Sequence, residues 1–170
     1  MSFKEIRESF NQVKIAAELA QCQALIAFME TPEYQKIEDD VEKSLNTPGK
    51  LMELAKNKNW MVRAALAEKL KITPDMPEEL VKEAKKVAEK LLHDHVWAVR
   101  FAIARNSSIE PNFFKELAEK LKMDKDWRVA ILGLGTNDNT PKEITDWMEE
   151  NRKGLLERLE QIIDFMSPLR

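Results

Sequence analysis

Among 170 residues there are one cysteine, four glycines, seven prolines and one tyrosine. Each scarcity removes a class of protein. A lone Cys22 excludes an intramolecular disulfide, a cysteine-only zinc site and a cysteine-ligated iron–sulfur cluster within this chain, and it reads as a small hydrophobe in an apolar helix. Four glycines and seven prolines do not supply the many tight turns of an all-β chain. The stretch from Val13 to Met29 is broken by Lys14, Glu18 and two glutamines, so it does not span a bilayer. "MSFKEIRESF" has no apolar signal core, and a reducing cytoplasmic location is the resulting expectation.

A dominant charge is missing too. The 27 basic and 30 acidic residues leave a net charge of -3, which does not draw the whole chain to nucleic acid or to an anionic membrane. Residues 1–50 carry 6 basic against 9 acidic side chains, 51–128 carry 16 against 13, and 129–170 carry 5 against 8. The middle is mildly basic between two acidic ends.

Alanine, leucine, lysine and glutamate dominate what remains, and these are strong helix formers. The expected class is all-α in a single domain over 1–170. Within it a pattern recurs. Trp60, Trp97 and Trp127 are each followed fourteen positions later by a proline, Pro74, Pro111 and Pro141, and Tyr34 stands in the same relation to Pro48. Three positions before these aromatics stand Thr31, Asn57, Asp94 and Asp124, all residues that cap helix N-termini, which predicts four helices with the aromatic at the third helical position. For Asp94 such a cap is worth about 1 kcal/mol.

After the aromatic, "WMVRAALAEKL" and "WAVRFAIARN" are apolar nearly all round and describe buried helices. "WRVAILGLGTN" has Ala130 in place of the arginine, and Gly133 and Gly135 predict that its helix is short. The prolines then mark a second helix in each unit, with Thr140 and Glu143 of "TPKE" as a capping box. Two short helices cannot bury their apolar faces alone, so such units stack into an α-solenoid.

The combination of N-cap acid, tryptophan, "VR", alanine-rich helix, asparagine ("ARN" at 104–106) and then "TP" resembles the leucine-rich repeat variant, within the HEAT-like class of helical repeats. The resemblance covers about residues 51–145, with Tyr34 to Pro48 as a degenerate copy. It implies a scaffold that binds macromolecules rather than a catalyst. The long helix over 77–93 and the missing arginine of the third tryptophan unit depart from the family's regular unit.

The expected organisation is an N-terminal capping helix over 1–30, about four helical repeats over 31–145 and a C-terminal capping helix over 146–170. In the first of these, Phe3, Ile6, Phe10, Val13, Ala17, Ala20, Ala24 and Ala27 recur at alternating steps of three and four. That seam predicts a helix that covers the first repeat or pairs with a second copy of the chain, so the chain is expected to be a monomer or a homodimer. Gly154 is expected to interrupt the closing helical stretch after Asn151.

The candidate sites follow from the repeat. The tryptophans read as core, the alternative being platforms for stacked bases. Arg63 and Arg100 are lone charges in apolar segments and must be paired if buried. They form either a ladder to Asn57, Asp94 or Asp124 of an adjacent unit, or a cationic groove. Lys82, Lys86 and Lys90 share a helix face, and Lys115 and Lys122 follow on the next helix, as candidate phosphate contacts. His93 and His95 flank Asp94 but diverge on a helix, so no metal is assigned. No catalytic residue and no cofactor is assigned. The expected function is a non-enzymatic scaffold for a protein or peptide partner, carried by the helices after Pro48, Pro74 and Pro111, with nucleic-acid binding by the basic middle as the alternative.

Overall fold

A computed structural model describes residues 2–166, with side chains to 164. Among the described residues the chain is all-helical, and its one extended contact is an isolated parallel bridge between Ile72 and Ile109. The helices are α1 (Phe3–Met29), α2 (Pro32–Glu42), α3 (Lys50–Ala55), α4 (Trp60–Lys69), α5 (Glu78–Leu92), α6 (Trp97–Arg105), α7 (Pro111–Leu121), a π-helix (Arg128–Gly133), α8 (Lys142–Asn151) and α9 (Lys153–Met166). The helix that opens each unit packs on the one before: α2 on α4, α4 on α6, and α6 on the π-helix. The second helices follow suit, with α3 on α5 and α5 on α7, while α3 also touches α4 and α5 touches α6.

The apolar character of the opening helices explains this arrangement. Residues 63–67 and 98–104 are buried without interruption, as expected of helices with neighbours on all sides. The second helices bury one face only: in α5 it is Leu80, Ala84, Val87, Ala88 and Leu91, at helical spacing. Phe101 and Phe114, both essentially inaccessible, anchor the main core. Gly133 is required by close approach, since a Cβ there would lie 2.7 Å from that of Ala104. The helix expected to be short is not: helical backbone runs on from 127 to 135, as long as α6, with a π-helical stretch at Arg128–Gly133 pressed against α6.

Two local expectations are corrected. Trp60 and Trp97 begin their helices instead of standing third, and the N-caps are Asn59 and Val96. Asn57 and Asp94 lie two residues before those N-caps and Asp124 three before Trp127, and they accept the backbone N–H two residues on, from Asn59, Val96 and Asp126. These are Asx turns. Only Thr31 caps as expected, accepting from Tyr34 N. The capping box at 140–143 is not formed either. Thr140 Oγ1 donates to Leu134 O, Pro141 is the N-cap of α8, and Glu143 pairs with Lys115.

α1 lies against both ends of the row of opening helices. Cys22, Leu25 and Met29 join the main core, while Ile15 and Leu19 pack with Trp127, Ile131 and Leu159. Glu18 accepts the indole N–H of Trp127, and Gln21 accepts Arg128 Nη1 at 2.7 Å. The contact face of α1 is therefore Ile15, Leu19, Cys22, Leu25 and Met29; the seam from Phe3 to Ala27 faces away. At the other end the helix breaks between α8 and α9 at Arg152, just before Gly154. None of the described helices is long and apolar enough to cross a membrane.

Candidate functional site: a ladder of buried arginines under a basic loop edge

The two arginines that interrupt the apolar helices are buried, Arg63 to 6% and Arg100 to 7% exposure. Each reaches forward to the acid of the next unit. Arg63 Nε donates to Asp94 Oδ2 at 2.6 Å and Nη2 to Oδ1 at 3.0 Å. Arg100 repeats this on Asp124 at 2.6 and 3.1 Å. Their Nη1 atoms donate backwards, to Asn57 O at 2.7 Å and Asp94 O at 2.8 Å. One guanidinium thus closes the loop of its own unit and grips the loop of the next, the two-pronged geometry for which arginine is suited.

The ladder ends as the sequence requires. The position in the first unit equivalent to Arg63 is Ile37, and the loop residue it would have met is the neutral Asn57. At the far end Arg128 pairs with Asp126 of its own loop at 2.7 Å and donates to Gln21 of α1. Its guanidinium carbon lies 3.8 Å from the centre of the Trp97 ring, a cation–π contact. Trp60 and Trp97 are half-buried against the main core and Trp127 is buried.

Burial alone would raise the pKa of Asp94, but hydrogen bonds from Arg63 and the Val96 N–H reverse that and hold it below the ordinary carboxylate value. Asp126 is held low in the same way by Arg128.

A second ladder, not read from the sequence, runs along the opposite ends of the opening helices. Asn106, 2% exposed, donates through Nδ2 to Ala67 O at 2.7 Å and Leu70 O at 2.8 Å. Asn137, 5% exposed, does the same to Ala104 O at 2.9 Å and Asn106 O at 3.1 Å. Each also accepts a backbone N–H two residues on, Ser108 or Asn139. An asparagine closing an apolar helix in two successive copies was the available signal.

Above the arginine ladder, the loops before α4, α6 and the π-helix bound two neighbouring clefts of about 450 and 460 Å3. The first is lined by Lys56, Lys58, Lys90, His93 and His95 among others, and the second by His93, His95, Lys120 and Lys125. Among the described lining residues, the carboxylates are Asp94 and Asp124, both held by the arginines beneath. Of the expected contacts, Lys90 is therefore brought to this edge.

The other expected lysines are dispersed, and three of the four are paired with glutamates. Lys82 pairs with Glu78 at 2.6 Å, Lys115 with Glu143, and Lys122 with Glu119 while facing the Trp147 ring. Lys86 is exposed on α5. Glu83, on that same helix, accepts Gly49 N at 2.8 Å and Met52 N at 3.0 Å, which caps α3. His93 and His95 are exposed, and no group of three metal-ligating side chains occurs among the described residues.

One strained spot lies between α2 and α4. The Tyr34 hydroxyl and Glu68 Oε2 are buried without a hydrogen-bond partner among the described residues. Burial, then the charge of Glu38, pushes the Glu68 pKa up, and burial followed by both glutamates pushes Tyr34 up. A raised carboxyl pKa favours folding below the ordinary carboxylate value and loses that contribution as pH rises through the raised one. Glu68→Gln keeps the shape and removes the charge. It should raise the melting temperature at pH 7, and thermal melts across pH should show the gain vanishing below roughly pH 4.

No protein-family model, curated protein or solved structure matches this chain.

Proposed function

We propose that the protein is a non-enzymatic helical-repeat scaffold, an α-solenoid in the sense of the resemblance drawn above, which binds an acidic segment of a protein partner along its loop edge. One observation carries this reading. The carboxylates lining the two clefts are drawn inward by Arg63 and Arg100, while Lys56, Lys58, Lys90 and Lys125 keep exposed side chains on the same edge. The opening helices also start there, so their positive ends add to the field. Successive opening helices packed side by side support the repeat reading, because a partner can then meet one loop per unit.

A partner of limited length fits better than a long polyanion. The chain as a whole is acidic, with an isoelectric point of about 5.6, and Lys82, Lys115, Lys120 and Lys122, on or just after the second helices, are paired with glutamates. A nucleic acid engages many phosphates at once and needs a broader basic field. It remains the second reading because the same cations would meet phosphate.

The discriminating experiment titrates the protein into a labelled glutamate-rich peptide, duplex DNA and single-stranded RNA, read by fluorescence anisotropy at low and physiological salt. The peptide should bind, weaken with salt and lose at least about tenfold in affinity in Lys58→Glu/Lys125→Glu, whose melting temperature should be unchanged because both side chains are exposed. Tighter binding of DNA or RNA, lost in the same variant, would transfer the edge to nucleic acid. Equal binding by wild type and variant would remove the edge from consideration.

A further inference from the structure

We infer that α1 is also a self-association element, pairing antiparallel with α1 of a second copy of this chain. This rests on a surface separate from the loop edge. α1 carries two apolar stripes on nearly opposite sides. The body takes the stripe of Ile15, Leu19, Cys22, Leu25 and Met29, leaving a strict heptad seam in solvent. Phe3 is 92% exposed, Phe10 72% and Val13 67%, and the four alanines that continue the seam are exposed as well.

The composition of the seam selects its occupant. Its first half is large and its second half is alanine. If two copies of the helix run in opposite directions about a two-fold axis at residue 15, Phe3 falls opposite Ala27, Ile6 opposite Ala24, Phe10 opposite Ala20 and Val13 opposite Ala17. Every large side chain then meets a small one, and each pair matches a first-core with a second-core heptad position, as antiparallel coiled coils require. A parallel pair would set phenylalanine against phenylalanine and leave the alanine half under-filled. Lys14 approaches its own mate at the axis, and Glu18 of the same helix stands 3.9 Å from it as a counter-ion.

The area is sufficient. The helix has 27 residues, about 40 Å. Four phenylalanine rings at on the order of 200 Å2 each, with Ile6, Val13 and the alanines, exceed the roughly 1,000 Å2 that a specific interface needs. Because the seam faces away from the body, the two bodies sit on opposite sides of the helix pair.

The test uses the full chain. Sedimentation equilibrium should show a dimer, and Phe10→Glu should weaken it by at least about 100-fold without lowering the melting temperature of the monomer. Spin labels at Lys4→Cys, in a Cys22→Ala background, should be about 33 Å apart along the axis in the antiparallel dimer. A separation of about 10 Å would overturn the orientation. A monomer at 100-fold the concentration used for labelling, or a dimer that survives Phe10→Glu, would overturn the proposal.

Discussion

Asp94→Ala should destabilise the protein by about 3–5 kcal/mol, several times what a lost helix cap costs. The reason is the partner left behind. Asp94 binds Arg63 through both carboxylate oxygens, and both side chains are less than a tenth exposed. Removing the acid leaves a guanidinium buried with only the carbonyls of Asn57 and Lys58 as acceptors. Chemical denaturation of Asp94→Ala, Arg63→Met and the double variant measures this directly. The double variant should be more stable than Asp94→Ala alone, because a buried pair replaced by apolar groups forfeits little. The acid limb follows from this pair and from Asp126 with Arg128: both Asp94 and Asp126 are held below the ordinary carboxylate pKa. Their contribution is complete above that value and is lost as pH falls through the depressed one.

Asn106→Leu should cost about 3 kcal/mol or more, although leucine is apolar and similar in size. The amide of Asn106 satisfies Ala67 O, Leu70 O and the N–H of Ser108, and a leucine satisfies none of them. Each buried backbone group left unpaired costs roughly 1–3 kcal/mol. Equilibrium unfolding in urea measures the loss, and Asn106→Asp should not restore it, since a carboxylate cannot donate to the two carbonyls. A cost below about 1 kcal/mol would mean that water replaces the amide.

The all-helical class and the places of the helices were legible because their marks are strong and local: tryptophan, the valine–arginine pair, an alanine-rich helix and a proline at fixed spacing. The pairing of Arg63 and Arg100 with the next unit's acid was one of two readings, and burial decides it. Cap and Asx turn were not separable, because in both the side chain at 57 or 94 accepts an N–H two or three residues on. Where the helix then begins, at Trp60 and Trp97, is not encoded in that spacing. The seam of α1 was visible, yet the face taken by the body was not. Ile15, Leu19, Cys22, Leu25 and Met29 form a second stripe on the same helix, and the choice between the two is made by residues about 110 positions away, Trp127 and Arg128. The basic edge was legible only in part: Lys90 falls on a periodic helix face, whereas Lys56, Lys58 and Lys125 stand in loops, where no periodicity gathers them.

Those contacts between α1 and the π-helix also bear on how the chain folds. Apart from α1 against α9, the other pairings join helices that are adjacent or next but one in the chain, so most of the chain can be assembled from contacts of moderate range with modest closure entropy. Gln21 to Arg128 and Glu18 to Trp127 instead span 107 and 109 residues. They raise the contact order of an otherwise local topology and join its first helix to its last unit. With that bond made, units that could fray independently from either end are tied into one cooperative whole.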